Sequence, residues 1–102
     1  MDNVLIVAPD DTIRRLLELQ LGLLGRGVAW SGAIPPAQTD IACELAIVDP
    51  SAPGALEFAR GAGVPLVFVS AVGPTPETRA LDPRAHLTMP FGLDELARAV
   101  SR

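Results

Sequence analysis

Two polar side chains stand at the ends of apolar runs. Leu45-Ala46-Ile47-Val48 runs into Asp49, and Leu66-Val67-Phe68-Val69 runs into Ser70. An acid that closes such a run has two uses. Placed before Pro50, it can accept backbone N–H bonds and cap the turn that follows. Placed at a strand mouth, it can do chemistry. A third run, Val4 to Val7, ends at Ala8 and Pro9, with Asp10 and Asp11 behind them. The rest of the reactive inventory is thin. His86 is the single histidine, Cys43 the single cysteine, and all eight basic residues are arginines.

These residues make a small hydrolase or nucleotide binder a disfavoured reading. Ser70 stands in no Gly-x-Ser-x-Gly turn. No Cys–His or Ser–His pairing comes with an evident orienting group. No glycine-rich phosphate loop follows the first run, which continues as APDDT.

The elements that must position these side chains follow from hydrophobic spacing. Short continuous apolar runs next to turn residues predict strands buried on both faces over 3–8, 43–48 and 66–69. Shorter strands are predicted over 28–30 and 86–88. Thr12 to Leu24 has helical spacing, with Ile13, Leu16, Leu17, Leu21 and Leu24 on one stripe. Leu19 and Leu23 lie off that stripe and are expected to widen the core face, the alternative being contact with a partner. Asp10, Asp11 or Thr12 suits the helix N-cap, and Gly25-Arg26-Gly27 suits its end. Helices are also predicted over 54–60, over 75–81 with Pro76 in the first turn, and over 93–101. Ser31 to Asp40, with two adjacent prolines, reads as a loop with at most one helical turn. Strands alternating with helices imply a parallel sheet covered on both faces. Ligands of such sheets bind at the carboxyl ends of the strands. Pro9, Asp49 and Ser70 are therefore expected to converge on one crevice.

Composition sets the bounds. The 102 residues suit one domain, spanning 1–102. Hydrophobic residues make up 49% and aromatics 4%, so the core must be built from Leu, Val, Ile and Ala. The formal charge of −4 argues against nucleic acid or an anionic membrane as a direct partner. No apolar stretch approaches the roughly 18–20 residues of a membrane span, and no signal-type segment opens the chain, so a cytoplasmic location is expected. Cys43 is expected at the start of a strand as a small core residue.

The strand-end positions also carry a family likeness. "VLIVAPDDTIRRLLELQL", "LAIVDPSAPG", "PLVFVSA" and "HLTMPFGLDELARAV" stand in the order and at the spacing of successive pieces of a receiver domain. Over nearly its whole length the chain resembles the receiver domains of bacterial two-component response regulators. The resemblance implies a flavodoxin-like α/β fold with a five-stranded parallel sheet in the order 2-1-3-4-5. The second and third helices are expected to be shortened, because Ser31–Asp40 and the Asp49-to-Ser70 stretch are both brief. It also implies roles. Asp49 matches the phosphorylated aspartate, Ser70 the hydroxyl that binds the phosphoryl group, and His86 the aromatic switch position. Pro90 matches the proline of the Lys-Pro pair, often a cis bond in the family.

The departures from the family matter as much. The acids that hold Mg²⁺ after the first strand are here Ala8 and Pro9, and the lysine before the proline is Met89. Met89 is expected to pack into the space that the lysine chain would occupy. Asp10 is the one acidic remnant nearby; it either reaches in or caps the first helix. Arg14 and Arg84 are the nearest candidates for a replacement cation. No cofactor is expected, with Mg²⁺ possible only if Asp10 and Asp49 suffice. Charge arriving on an aspartate needs a metal and a fixed cation. The expectation is therefore a degenerate, non-enzymatic receiver that signals by protein–protein contact without phosphorylation. The alternative is an active receiver phosphorylated on Asp49 through an atypical site. The expected partner is a protein, a second copy included. The expected contact face is formed by the fourth predicted helix, the fifth strand and the fifth helix, with Arg79, Arg84, Asp94, Arg98 and Arg102.

Overall fold

The computed structural model describes residues 3–36 and 41–101. Five strands and four helices occur there: β1 (Asn3–Val7), α1 (Asp11–Leu23), β2 (Gly27–Gly32), β3 (Leu45–Val48), α2 (Ala55–Arg60), β4 (Leu66–Ser70), α3 (Pro76–Ala80), β5 (Ala85–Thr88) and α4 (Leu93–Val100). The strands form one parallel sheet in the order β2-β1-β3-β4-β5. The topology expected from the sequence is thus present.

The period of two along each strand divides the core between the two faces of the sheet. Val4, Ile6, Ile47, Val67 and Val69 face one way and pack with Leu17 and Leu21 of α1 and Leu96 and Val100 of α4. Leu5, Val7, Ala46, Val48 and Phe68 face the other way, onto Ala55 and Ala59 of α2. Both faces are covered, so β3 and β4 are buried along their whole length.

The ends of the helices follow from their sequence. Asp10 is the N-cap of α1, its Oδ1 accepting from the Thr12 backbone N–H at 2.8 Å. Gly25, at a φ of 75°, takes the left-handed conformation that closes the helix. Thr75 caps α3 through Thr78 N–H at 3.2 Å, with Pro76 at the first helical position. Glu95 of α4 reaches back to accept from Gly92 N–H at 3.0 Å.

Several expectations are corrected. Leu16, Leu19 and Leu23 do not join the core; they are 42%, 63% and 68% exposed. Each helical residue turns the side chain by about 100°, and a single sheet face takes only the arc around Leu17 and Leu21. Between β2 and β3 no helix is present among the described residues, and residues 37–40 lie outside them. Trp30, Ile41 and Cys43 instead pack half-buried against the α2 side of the sheet. The Trp30 indole lies along Gly32, where a Cβ would collide with the ring. Cys43 precedes β3 rather than starting it, because the ladder begins at Leu45. Burial pushes its thiol pKa up, only partly offset by a backbone hydrogen bond at Leu45.

Candidate functional site

The carboxyl ends of the strands form one mouth. The ladder runs a residue past the formal strand ends, with Asp49 N–H donating to Val7 O at 2.7 Å and Met89 N–H donating to Ser70 O at 2.8 Å. Two backbone bonds therefore fix Asp49 beside β1 and Met89 beside Ser70. Asp49, Ser70 and Met89 line a cavity of about 420 Å³, whose other walls include Leu56 and Val72. The strand-end argument thus brought Asp49 and Ser70 together correctly. Pro9 does not join them. It is exposed and turned into the corner that leads to α1.

Asp49 is 9% exposed, and among the described residues only one of its oxygens has a hydrogen-bond partner. Its Oδ1 accepts from Ser51 N–H at 2.9 Å and from Ser51 O–H at 2.7 Å. This is the turn-capping geometry of an Asp that opens a loop. Sequence reasoning did not single out Ser51, although a Ser two residues after an Asp is the ordinary partner in such a turn. The cap leaves Oδ2 without a hydrogen-bond partner among the described residues.

Ser70 and His86 are paired, which sequence reasoning did not foresee. Ser70 O–H donates to Val72 O, and His86 Nε2 lies 2.8 Å from Ser70 Oγ and 3.3 Å from Val72 O. With the serine proton used on a carbonyl, Nε2 must carry the hydrogen and donate. The imidazole cannot then act as a base toward Ser70. Its Nδ1 is buried without a partner, so no third group orients the ring. The pair ties β4 to β5. Strand register held the signal: His86 pairs with Phe68, and Phe68 and Ser70 share a face. The rings of Phe68 and His86 stand 6.1 Å apart.

The other candidates are placed as follows. Ala8 is fully buried and Pro9 exposed, and neither offers a side-chain oxygen. Asp10 turns to its capping bond on Thr12. Arg14 Nη1 donates to Ala8 O at 2.6 Å and to Pro9 O at 3.3 Å, and its Nη2 pairs with Asp11 at 2.9 Å. Its guanidinium thus serves the end of β1 and does not line the Asp49 cavity. Arg84 stands before β5, at the amino-terminal end of the sheet, where it lines a separate cavity with Glu95 and Arg98. Neither arginine replaces the missing lysine.

The donor set does not fit Mg²⁺. That ion takes near-octahedral oxygen ligands, usually including one or two carboxylates. Asp49 is one carboxylate with half its capacity used, Asp10 is committed elsewhere, and Arg14 occupies the carbonyl of Ala8. Among the described residues no three His, Cys, Asp or Glu side chains converge on a metal position. Met89 is half-buried on the cavity wall, and the Met89–Pro90 bond is cis.

Comparison with solved structures identifies the architecture. The signal receiver domain of a modulated diguanylate cyclase from Desulfovibrio desulfuricans superposes with a TM-score of 0.81 at 22% identity, covering 99% of this chain and 91% of that one. The chain has the fold of a receiver domain. Chemotaxis protein CheY4 of Vibrio cholerae matches with a TM-score of 0.78 at 20% identity, over 100% and 98% of the two chains. A CheY-like response regulator of Mesorhizobium loti matches with a TM-score of 0.72 at 26% identity, over 98% and 96%. No family model matches the chain, and no curated protein matches its sequence. In this fold Asp49 follows β3 and Ser70 ends β4, both at the carboxyl end of the sheet. Among the described residues no helix is long and apolar enough to cross a membrane.

Proposed function

We propose that the chain is a receiver-type signalling module that works through protein contact and without phosphoryl control. One observation carries this reading. Met89, held beside Ser70 by its own backbone bond, lines the Asp49 cavity with a thioether side chain, and among the described residues no Lys or Arg lines it. Removing one fixed electrostatic contact from a reaction site typically costs about 100- to 1,000-fold in rate. Here the cation is missing and the metal ligands are missing with it. The Ser70–His86 tie supports the same reading, because it engages the hydroxyl that would otherwise turn to a phosphoryl oxygen.

The partner is a protein, and a second copy is one form it takes. The face built by α3, β5 and α4 carries Arg79, Arg84, Asp94 and Arg98, for none of which an ion pair occurs among the described residues. Arg102, assigned to this face from the sequence, lies outside the described residues. Light scattering of the chain and of Arg98→Glu reports whether this face joins two copies.

The decisive experiment is incubation with acetyl phosphate and Mg²⁺ followed by intact-mass measurement. No phosphoryl adduct is expected. A Mg²⁺-dependent adduct on Asp49, lost in Asp49→Asn, establishes the other reading, an active receiver with an atypical site.

A further inference from the structure

The cleft between Asp49, Ser70 and Met89 is open. Its volume of about 420 Å³ lies within the roughly 300–1,000 Å³ of small-molecule pockets. Its walls have the composition of such a pocket: apolar side chains from Leu56, Val72 and Met89, with few polar groups. Its charge is one-sided. Asp49 and Glu77 line it, and no Arg or His does. The polar groups are mostly engaged with each other: Ser70 with Val72 O and His86, and Thr75 with Thr78. Asp49 Oδ2 is the exception, a carboxylate oxygen without a hydrogen-bond partner among the described residues, on a buried residue that borders the cavity.

We propose that this cleft binds a small amphiphilic cation, an ammonium or guanidinium head on a short apolar chain. The head group donates to Asp49 Oδ2, and the chain lies along Leu56, Val72 and Met89. The charge of the lining sets the sign of the head group, and the open volume between Leu56, Val72 and Met89 takes the chain. A charge-assisted hydrogen bond at a buried carboxylate is roughly twice as strong as a neutral one, so head-group charge decides affinity. The inference rests on the phosphorylation-independent reading, because a phosphorylated cleft would be occupied.

The test is an amide-shift NMR titration of the full chain with hexylammonium chloride, beside 1-hexanol and sodium hexanoate. Hexylammonium is expected to give saturable shifts at Asp49, Ser51, Ala71 and Val72. Hexanol should bind at least tenfold more weakly, and hexanoate should give no shifts there. Asp49→Asn keeps an oxygen for Ser51 and should lower hexylammonium affinity at least tenfold, to the level of hexanol. Met89→Lys leaves Asp49 untouched but places a cation in the cleft, and should abolish binding. The proposal is overturned by equal affinity for hexanol and hexylammonium, by an unaffected Asp49→Asn, or by the absence of saturable shifts. Shifts centred on Ile13, Leu16 and Phe91, the neighbouring apolar groove, overturn it equally. Acetyl phosphate with Mg²⁺, run on the same sample, separates the two ideas. An adduct on Asp49 removes the signalling reading, whereas no adduct and no hexylammonium response removes only the ligand.

Discussion

Replacing Asp49 by alanine asks whether this carboxylate supports the fold or burdens it. In a site kept for reactivity, a buried acid is often a cost to stability, and its removal stabilises the protein. Here the geometry predicts the opposite sign. Asp49→Ala deletes the acceptor of two hydrogen bonds from Ser51, at 2.9 and 2.7 Å. A bond to a charged acceptor contributes about 1.5–3 kcal/mol when well buried, and a neutral one about 0.5–1.5 kcal/mol. Ser51 is exposed, so its N–H and hydroxyl can turn to water once the carboxylate is gone. Desolvation of an acid with no ion-pair partner also works against the native side chain. The lower values therefore apply, for a net loss of about 1.5 kcal/mol. For a domain of this size that lowers the melting temperature by roughly 6–12 °C. Circular dichroism melts and urea titrations of wild type, Asp49→Ala and Asp49→Asn measure it. Asp49→Asn, which keeps one oxygen toward Ser51, should fall between the other two. An Asp49→Ala protein as stable as wild type, or more stable, refutes the capping role and returns Asp49 to the reactive residues.

Placing two acids and a lysine at the mouth should create phosphoryl chemistry there. Ala8→Asp, Pro9→Asp and Met89→Lys together are expected to give a Mg²⁺-dependent acetyl-phosphate adduct by intact mass, with each single variant silent. On α1, Leu17→Ala empties a fully buried site and should cost about 2–5 kcal/mol in urea unfolding. Leu19→Ala, at a position 63% exposed, should stay within about 0.5 kcal/mol of wild type. The raised Cys43 pKa implies less thiolate than in an unfolded peptide at any pH near 8–9. Iodoacetamide labelling of Cys43 should therefore lag behind that of the urea-unfolded chain, and its midpoint should move to higher pH. The same shift stabilises the fold below the ordinary thiol pKa and is lost as pH rises through the folded value. A labelling midpoint at or below that of the unfolded chain would contradict the burial assigned to Cys43.

What could be read from the sequence was whatever depended on contacts close along the chain or on strict alternation. Val4–Val7, Leu45–Val48 and Leu66–Val69 announce buried strands because no polar side chain interrupts them, and their alternation with helices dictates a parallel sheet. That sheet places Asp49 and Ser70 at one mouth, which is why the site could be named before its geometry was known. The exposure of Leu16, Leu19 and Leu23 was not legible, because five leucines in a 13-residue helix offer more apolar surface than one sheet face can take. The Ser70–His86 tie depends on the register between β4 and β5, and the hydrophobic pattern fixes only which face a residue occupies. Arg14 was placed near the right corner but given the wrong task. A guanidinium with five donors is satisfied by the carbonyls left at the end of a strand, and those acceptors leave no mark in the side-chain sequence.

The same absence of charge bears on whether this domain can switch at all. A ligand shifts a two-state equilibrium only by the difference in its affinity for the two states. In a receiver with its lysine and metal, the phosphoryl group has such a difference, because those cations meet it in one arrangement of the mouth. Here Ser70 donates to Val72 O and is held by His86, so moving Ser70 toward Asp49 breaks two bonds. No cation on the Asp49 side compensates for the loss. Ser70→Ala removes that tie, so amide-exchange protection at β5 should fall while the Asp49 cavity remains. If β5 protection is unchanged, the tie is incidental and the mouth is held by its backbone bonds alone.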